Sequence, residues 1–335
     1  MAAALYDPGE GYYARPLGQV GRGGDFFTSV SARPLFGRLL AQCVMEWHRS
    51  AGSPSRWRLI EVGANDGSLA GDLRAALRES GMEAGLEQVV IEPLPQLAAA
   101  LREKCGGWLR VTDSAEPLAA DPLPSFILGN EVLDALPFHV IESDGHAWQE
   151  LGVTLEEGRF AWTVLGVAAP ELVKGIPLFP AGYRTEVRGN FRSFLAPLAG
   201  AMSSGRMLWI DYGFPRDDYY HESRTKGTLR TFSRHRAAED PLESPGEIDI
   251  TAHVDFTAVQ EAIGGLGGKV TRFERQGKFL TGLARPLLLS MEGRTDAEAM
   301  KLVRSFQTLT HPGQLGASFH VMEGEFEKGR VPGDQ

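Results

Sequence analysis

The 335-residue chain predicts an α/β protein built on a doubly wound parallel sheet. Three observations carry that expectation. Apolar runs of strand length alternate with stretches of helical periodicity from Trp57 onward. A glycine-bearing turn, Glu61-Val62-Gly63-Ala64-Asn65-Asp66-Gly67, joins the first such run to the first such helix. The next strands end in polar residues, Glu92 and Asn130, at the edge where open α/β sheets bind ligands.

Residues 1–31 are turn-rich, with Pro8 and a series of glycines interrupted by Tyr6, Tyr12, Tyr13, Phe26 and Phe27, as in an ordered loop. From Pro34 to Arg49 a helix is expected, because Leu35, Phe36, Leu39, Leu40, Cys43, Val44 and Trp47 share one face, with Ser31 as its N-cap. Cys43 on that face reads as a buried thiol.

Strands are expected at 57–62, 88–92, 109–112 and 125–130, with helices at 68–80 and 95–104 between them. Residues 138–165 change to hairpin-like runs with Asp144-Gly145 and Glu157-Gly158 as turns, a β insertion. A helix near 190–202 then leads to the apolar strand Met207 to Ile210, which ends in Asp211-Tyr212-Gly213. Residues 214–250 form a long polar excursion carrying Arg224, Lys226, Arg230, Arg234 and Arg236, either a solvated face or a docking surface for substrate. A helix near 253–263, a strand at 269–274, one or two helices over 277–308 and a strand near 317–323 complete the pattern.

Composition narrows the function. A net charge of −9 argues against a general grip on phosphate backbones, so nucleic acid is not an expected partner. Two cysteines, Cys43 and Cys105, without CxxC or a Cys/His cluster, argue against a disulfide framework and a zinc site. Membrane insertion is not expected, since no apolar run reaches the roughly 18 residues needed to span a bilayer. The first residues lack the pattern of a secretory leader, and a cytoplasmic location is the resulting expectation.

The glycine turn narrows the ligand. Its spacing is G-x-x-x-G rather than the G-x-G-x-x-G of dinucleotide folds, and Glu61 precedes the first glycine by two residues. A carboxylate there repels phosphate and attracts an ammonium or sulfonium group, which favours S-adenosylmethionine over a nicotinamide cofactor. Glu92, at the end of the second strand, can accept hydrogen bonds from both ribose hydroxyls; the plain alternative is a surface acid before Pro93. Asp113 and Ser114 either meet the adenine edge or form an ordinary turn. In Gly129-Asn130-Glu131-Val132-Leu133-Asp134, the residues Asn130, Glu131 and Asp134 can line a crevice shared by cofactor and substrate. Two carboxylates near a bound sulfonium can hold a cationic or amine-like acceptor in line; alternatively Asp134 caps a turn and Glu131 is solvated.

With these residues in view, the chain resembles the MidA-type S-adenosylmethionine-dependent methyltransferases, a family that includes an arginine-methylating assembly factor of mitochondrial complex I. The resemblance runs through LYDPGEGYY (Leu5 to Tyr13), GDFFTS (Gly24 to Ser29), EVGANDGSL, IEPLPQL, GNEVLDALPFHV, IDYGF (Ile210 to Phe214), GTLRTFSRH, DPLESPGEIDITAHVDF (Asp240 to Phe256), RQGKFL and HPGQLGASF. It implies a Rossmann-like seven-stranded sheet with helices on both faces, a β-rich insertion and extra helices. The implied organisation is a cofactor-covering segment and helix at 1–50, a core at 51–137 and 203–335 containing the 214–250 excursion, and a substrate-side insertion at 138–202. Glu61, Gly63, Asn65 and Gly67 would form the cofactor turn, Glu92 would bind ribose, and Asn130 to Asp134 would be the active-site strand end. Gly24, Asp25 and Thr28 would fold over the cofactor, and TAHVDF would bring Asp249, Thr251, His253 and Asp255 together. His253 reads either as a proton acceptor or as a buried, hydrogen-bonded histidine.

Two departures stand out. The family commonly has glycine where this chain has Asn65, and Asn is the non-glycine residue that best tolerates the left-handed region. The family also usually carries a helix ahead of the LYDP motif, on which this chain almost opens, pointing to an early truncation or a misassigned start. The implied activity is transfer of a methyl group from S-adenosylmethionine to an arginine of a protein substrate, in the context of respiratory complex assembly, with Glu131, Asp134 and His253 as candidate catalytic residues. The alternatives are a non-catalytic assembly factor retaining the fold, for which Asn65 speaks, or a small-molecule methyltransferase.

Overall fold

The computed structural model describes residues 1–14, 29–233, 236–238 and 240–327. In chain order, α1 (Ala2–Tyr6) and α2 (Leu35–Ser50) precede β1 (Trp57–Val62), α3 (Ser68–Glu79), β2 (Leu86–Ile91), α4 (Pro95–Cys105), β3 (Arg110–Thr112) and β4 (Leu123–Asn130). Then come β5 (His139–Ser143), β6 (Trp148–Glu156), β7 (Arg159–Val167), β8 (Arg184–Val187), α5 (Phe191–Gly200) and β9 (Met202–Phe214). The chain continues through α6 (Arg216–Tyr219), β10 (Arg230–Ser233), β11 (Arg236–Ala238), β12 (Asp249–Thr251), β13 (Val254–Asp255) and α7 (Phe256–Gly265). Last are β14 (Lys269–Arg275), α8 (Gln276–Ser290), α9 (Ala297–Thr310), α10 (Leu315–Ser318) and β15 (Phe319–Phe326).

The main sheet has the order β14-β15-β9-β4-β1-β2-β3, with β13 added alongside β9. Strands β3, β2, β1, β4 and β9 are parallel, whereas β15 runs antiparallel to β9 and β14 antiparallel to β15. This is the seven-strand path expected, with one short strand more. The chain goes from β1 outward through β2 to β3 and then returns to β4 on the other side of β1. The order therefore reverses between β1 and β4, and their carboxyl ends open a crevice.

Strand β1 is buried along its whole length because it lies in the middle of the sheet, which is why its sequence is a run rather than an alternation. One core packs α2, α3 and α8 against the sheet around Phe36, Trp47, Trp57 and Phe126, with Trp47 edge-on to Phe126 at 5.7 Å. The other packs α5 and α7 around Trp209, Phe256 and Ile263. Trp57 and Trp209 are fully buried. Truncating either to alanine is worth about 3–5 kcal/mol.

Several local expectations need correction. Helix α2 starts at Leu35 behind Pro34, so the capping position falls on a residue with no side-chain acceptor rather than on Ser31. Strand β9 extends far beyond its apolar stretch because β4 and β15 pair with it on both sides, and backbone ladders carry it through Ser203, Ser204 and Arg206. Helix α7 begins at Phe256, after His253, because the Asp255 carboxylate accepts the N–H groups of Thr257 and Ala258 and caps it there. The 214–250 excursion carries α6 and contributes β10 and β11 to a small sheet of order β11-β10-β12.

Residues 139–187 carry a four-stranded antiparallel sheet of order β7-β6-β5-β8. Its β6–β7 hairpin turns on Glu157 and Gly158, both at positive φ (48° and 79°), the geometry of a tight two-residue turn. Cys43 and Cys105 are both buried free thiols.

Candidate active site

The turn after β1 closes through glycine geometry. Gly63 and Gly67 sit at φ 68° and 72° and Asn65 at 48°, so the chain takes three left-handed steps within five residues, and asparagine occupies the one not held by glycine. A Cβ on Gly67 would lie 2.8 Å from Leu101 Cδ2, so α4 packs directly under the turn. Asp66 fixes the start of α3: its carboxylate accepts the Ser68 N–H at 3.0 Å and the Ser68 hydroxyl at 2.6 Å and pairs with Lys104.

Glu61, the penultimate residue of β1, is only 5% exposed, and its Oε2 has no hydrogen-bond partner. Burial, with smaller contributions from the Asp66 and Asp72 charges, pushes its carboxyl up to about 8. A buried acid with an idle oxygen beside a left-handed turn suits a cationic ligand group. Glu92 is buried as well and raised to about 7 by burial; Leu94 N–H donates to its Oε1 at 3.1 Å, and the carboxyl faces the same cavity. Asp113 and Ser114 also line that cavity, joined to each other at 3.3 Å. The cavity measures about 1470 Å³. This exceeds the roughly 300–1,000 Å³ of a single small-ligand pocket, leaving room for a cofactor and an acceptor together.

The end of β4 forms the opposite wall. Asn130 donates to Glu131 Oε1 at 3.0 Å, and Ser29 N–H reaches the same oxygen at 3.3 Å. Glu131 itself sits at φ 56°, a strained conformation for a non-glycine residue. The strain is held by Asp211 of β9, whose Oδ2 accepts the N–H groups of Val132, Leu133 and Asp134 at 3.1, 2.8 and 3.3 Å. Burial, then the Asp134 charge, raises the carboxyl of Glu131 to about 8. Asp134 is 4% exposed; Tyr212 donates its hydroxyl to Oδ2, and Oδ1 has no partner. Its carboxyl is raised by burial, with the Tyr212 hydrogen bond and the Arg188 charge opposing the shift.

Arg188, buried after β8, donates to the carbonyls of Asp134, Leu136, Ala252 and His253, tying the β4 loop to the segment between β12 and β13. The imidazole of His253 lies edge-on to Tyr212 and Phe214, at 5.3 and 5.1 Å between ring centres, with Nδ1 unpartnered. Burial, then the charges of Arg230, Arg224 and Arg188, lowers it to about 4, so it is neutral at pH 7. The expected hydrogen-bonded histidine is thus a ring packed between aromatics.

Asp249 joins the cavity and accepts from Tyr13 at 2.8 Å, but Asp255 turns away to cap α7 and pair with Arg216. Thr251 is buried in β12 and does not line the cavity. Of the excursion's cations, Arg230 lines the cavity while Arg224 stacks over Phe214 at 4.3 Å; Arg234 lies outside the described residues. Gly24, Asp25 and Thr28 also lie outside them. Asp211, Tyr212, Arg188, Tyr6 and Tyr13 were not singled out as site residues from sequence. IDYGF and LYDPGEGYY were the available signal for four of them, and nothing marked Arg188.

Residues 39–273 match the family model described as "Putative S-adenosyl-L-methionine-dependent methyltransferase". The chain belongs to this family. A Burkholderia thailandensis protein solved with bound S-adenosyl-homocysteine superposes on the methyltransferase at a TM-score of 0.87 and 31% identity, over 98% of this chain and 87% of that one. Protein arginine methyltransferase NDUFAF7, mitochondrial, of Danio rerio is 28% identical over 95% of this chain and 80% of its own length. The human protein of that name is 25% identical, over 96% and 77%. The methyltransferase therefore uses S-adenosylmethionine on a Rossmann-like sheet. The cytoplasmic expectation is overturned, because these curated relatives are mitochondrial proteins; the missing leader pattern was too weak a basis for a compartment. No helix among the described residues is long and apolar enough to cross a membrane.

Proposed function

We propose that the methyltransferase places a methyl group on an arginine guanidinium of a protein substrate. The observation that carries this reading is the pair Glu131 and Asp134, one half-buried and one buried, set on the same cavity as the glycine turn, with Asp134 Oδ1 unpartnered. The names of the curated relatives point the same way.

When bound, S-adenosylmethionine supplies an electrophilic methyl on a sulfonium. Glu61 would receive the cationic methionine portion, with the backbone of Gly63, Asn65 and Gly67 against it, and Glu92 the ribose hydroxyls. Asp113 would stand at the adenine edge, and Asn130 would hold Glu131 in place. Glu131 and Asp134 would orient the guanidinium, whose charge draws both carboxyls toward ionisation. As the S–CH₃ bond broke and the N–CH₃ bond formed, with S-adenosylhomocysteine as the leaving group, the nitrogen would lose a proton, which Asp134, on the same cavity with Oδ1 unpartnered, would accept. His253, lowered to about 4, is a weak base and would shape the pocket rather than take the proton. We assign the sheet of residues 139–187 to the substrate side because it follows the β4 loop directly in the chain and Arg188, just after β8, bonds back to the Asp134 and Leu136 carbonyls of that loop.

The test is methylation of arginine-containing peptides and of lysate proteins with labelled cofactor, read by intact and fragment mass. Label on arginine supports the proposal. Cofactor binding by calorimetry, with label appearing only in small molecules or not at all, would overturn it.

A further inference from the structure

The first fourteen residues form a strap along the cavity, which Tyr6 and Tyr13 line. Leu5 and Tyr12 pack with Ile248 and Ile250 beside Phe138, anchoring the strap on the substrate side. On the cofactor side, Gln96 of α4 donates to the Pro8 carbonyl. Gly246 fits against it because a Cβ there would lie 2.6 Å from the Glu10 carbonyl.

Between those anchors two tyrosines line the cavity. Tyr6 donates to the Ala135 carbonyl at 2.8 Å, in the loop that carries Asp134, and Tyr13 donates to Asp249 Oδ1 at 2.8 Å. Their rings are stacked, 5.5 Å between centres and 26° apart in plane. Both hydroxyls are thus held by the protein, and what the rings offer the cavity is π surface between carboxyls. Buried Asp134, whose Oδ1 has no hydrogen-bond partner, lines the same cavity.

We infer that Tyr6 and Tyr13, with Asp134 and Asp249, form the subsite that receives the acceptor's cation, and that the strap selects a planar guanidinium over an ammonium. This rests on the arginine reading above. A guanidinium can lie flat on a tyrosine ring while its edge reaches a carboxylate, and an ammonium, more strongly hydrated and without a plane, gains less from the same wall.

The experiment measures binding of N-acetyl-arginine amide and N-acetyl-lysine amide to the full chain with S-adenosylhomocysteine present. The wild type is expected to prefer the arginine amide. Tyr6→Leu and Tyr13→Leu should each weaken it about tenfold, the loss expected for a desolvated cation–π contact, and leave S-adenosylhomocysteine affinity unchanged. Tyr13→Phe, which keeps the ring, should retain most of the preference. Arginine amide binding equally well to the leucine variants would overturn the strap's role and leave the acceptor reading standing. Parallel loss of cofactor affinity would assign the tyrosines to folding and also overturn the inference. Binding of neither amide by the wild type would remove both readings.

Discussion

Oδ2 of Asp211 accepts the backbone N–H of Leu133 at 2.8 Å, and through this bond and its two neighbours strand β9 shapes the turn that ends β4. Asp211 is 1% exposed, and its other oxygen accepts Tyr212 N–H at 2.9 Å. One buried carboxylate thus satisfies four donors and holds Glu131 in its left-handed conformation. Replacing it with alanine would leave those donors buried and unpaired. Asp211→Ala is expected to destabilise the protein by about 3 kcal/mol or more, seen as a lower urea midpoint. A loss below about 1 kcal/mol would show that the turn does not depend on it.

Tyr212 acts on the next link. Its hydroxyl lowers the Asp134 carboxyl against the upward push of burial. Tyr212→Phe removes that donor, so the Asp134 carboxyl rises further and more of it is protonated at neutral pH. The acidic limb of kcat/KM should move to higher pH, with activity at pH 7 down by about tenfold, as for loss of a hydrogen bond to a charged group. An unmoved limb would separate Asp134 from the proton step.

The cofactor and acceptor ends should separate by mutation. Glu92→Ala is expected to weaken S-adenosylmethionine binding by about ten- to a hundredfold, the worth of one or two hydrogen bonds to a charged group. Glu131→Ala should keep that binding and abolish methyl transfer. Equal loss of cofactor affinity in both variants, measured by calorimetry, would refute the division of roles.

Stability should depend on pH in a defined direction. Glu61 and Glu131 are raised to about 8 and Glu92 to about 7, so the folded state holds protons that the unfolded state releases near pH 4.5. Their contribution falls as pH rises through the folded values. His253 and His320, both lowered to about 4, act oppositely, since the unfolded state takes up their protons below about pH 6.5. Their effect is complete above that point. Between about pH 6.5 and 8 the raised acids are opposed by the Met1 amino group alone, which burial lowers, and with three acids against one amine the melting temperature without cofactor should fall across that window. S-adenosylmethionine, by supplying a cation near Glu61, should flatten the fall. A melting temperature that rises from pH 6.5 to 8 would contradict the assignment.

Asn65 tests the turn. At φ 48° an asparagine is tolerated, and a β-branched residue is not. Asn65→Val should cost about 1–2 kcal/mol in urea unfolding, and Asn65→Gly should fold as well as the parent and bind cofactor at least as tightly. Weaker binding by the glycine variant would show that the asparagine side chain contributes a contact.

The sequence by itself determined the alternation of strand and helix, the identity of the central strands and the acids at their ends. These are local properties. A buried strand must be apolar along its length, a helix must repeat its apolar face, and a chain passing from β1 into α3 through left-handed steps needs glycine or asparagine, so Trp57–Val62 and Gly63 to Gly67 declare themselves. The resemblance then implied Glu61 and Glu92 at the cofactor and Glu131 at the active-site strand end.

Only the tertiary structure decided which polar residues share a cavity and which serve the scaffold. Asp249 and Asp255 lie six residues apart in DITAHVDF, yet one faces the cavity with Tyr13 and the other caps a helix, because a turn of backbone between β12 and α7 points them apart. Tyr6 and Ala135, Arg188 and Asp134, and Asp211 and Leu133 meet across gaps of 129, 54 and 78 residues. Such pairings leave no periodicity in the sequence. They exist because the sheet brings the ends of β4 and β9 side by side and the strap crosses over them, and burial there sets which carboxyls hold their protons.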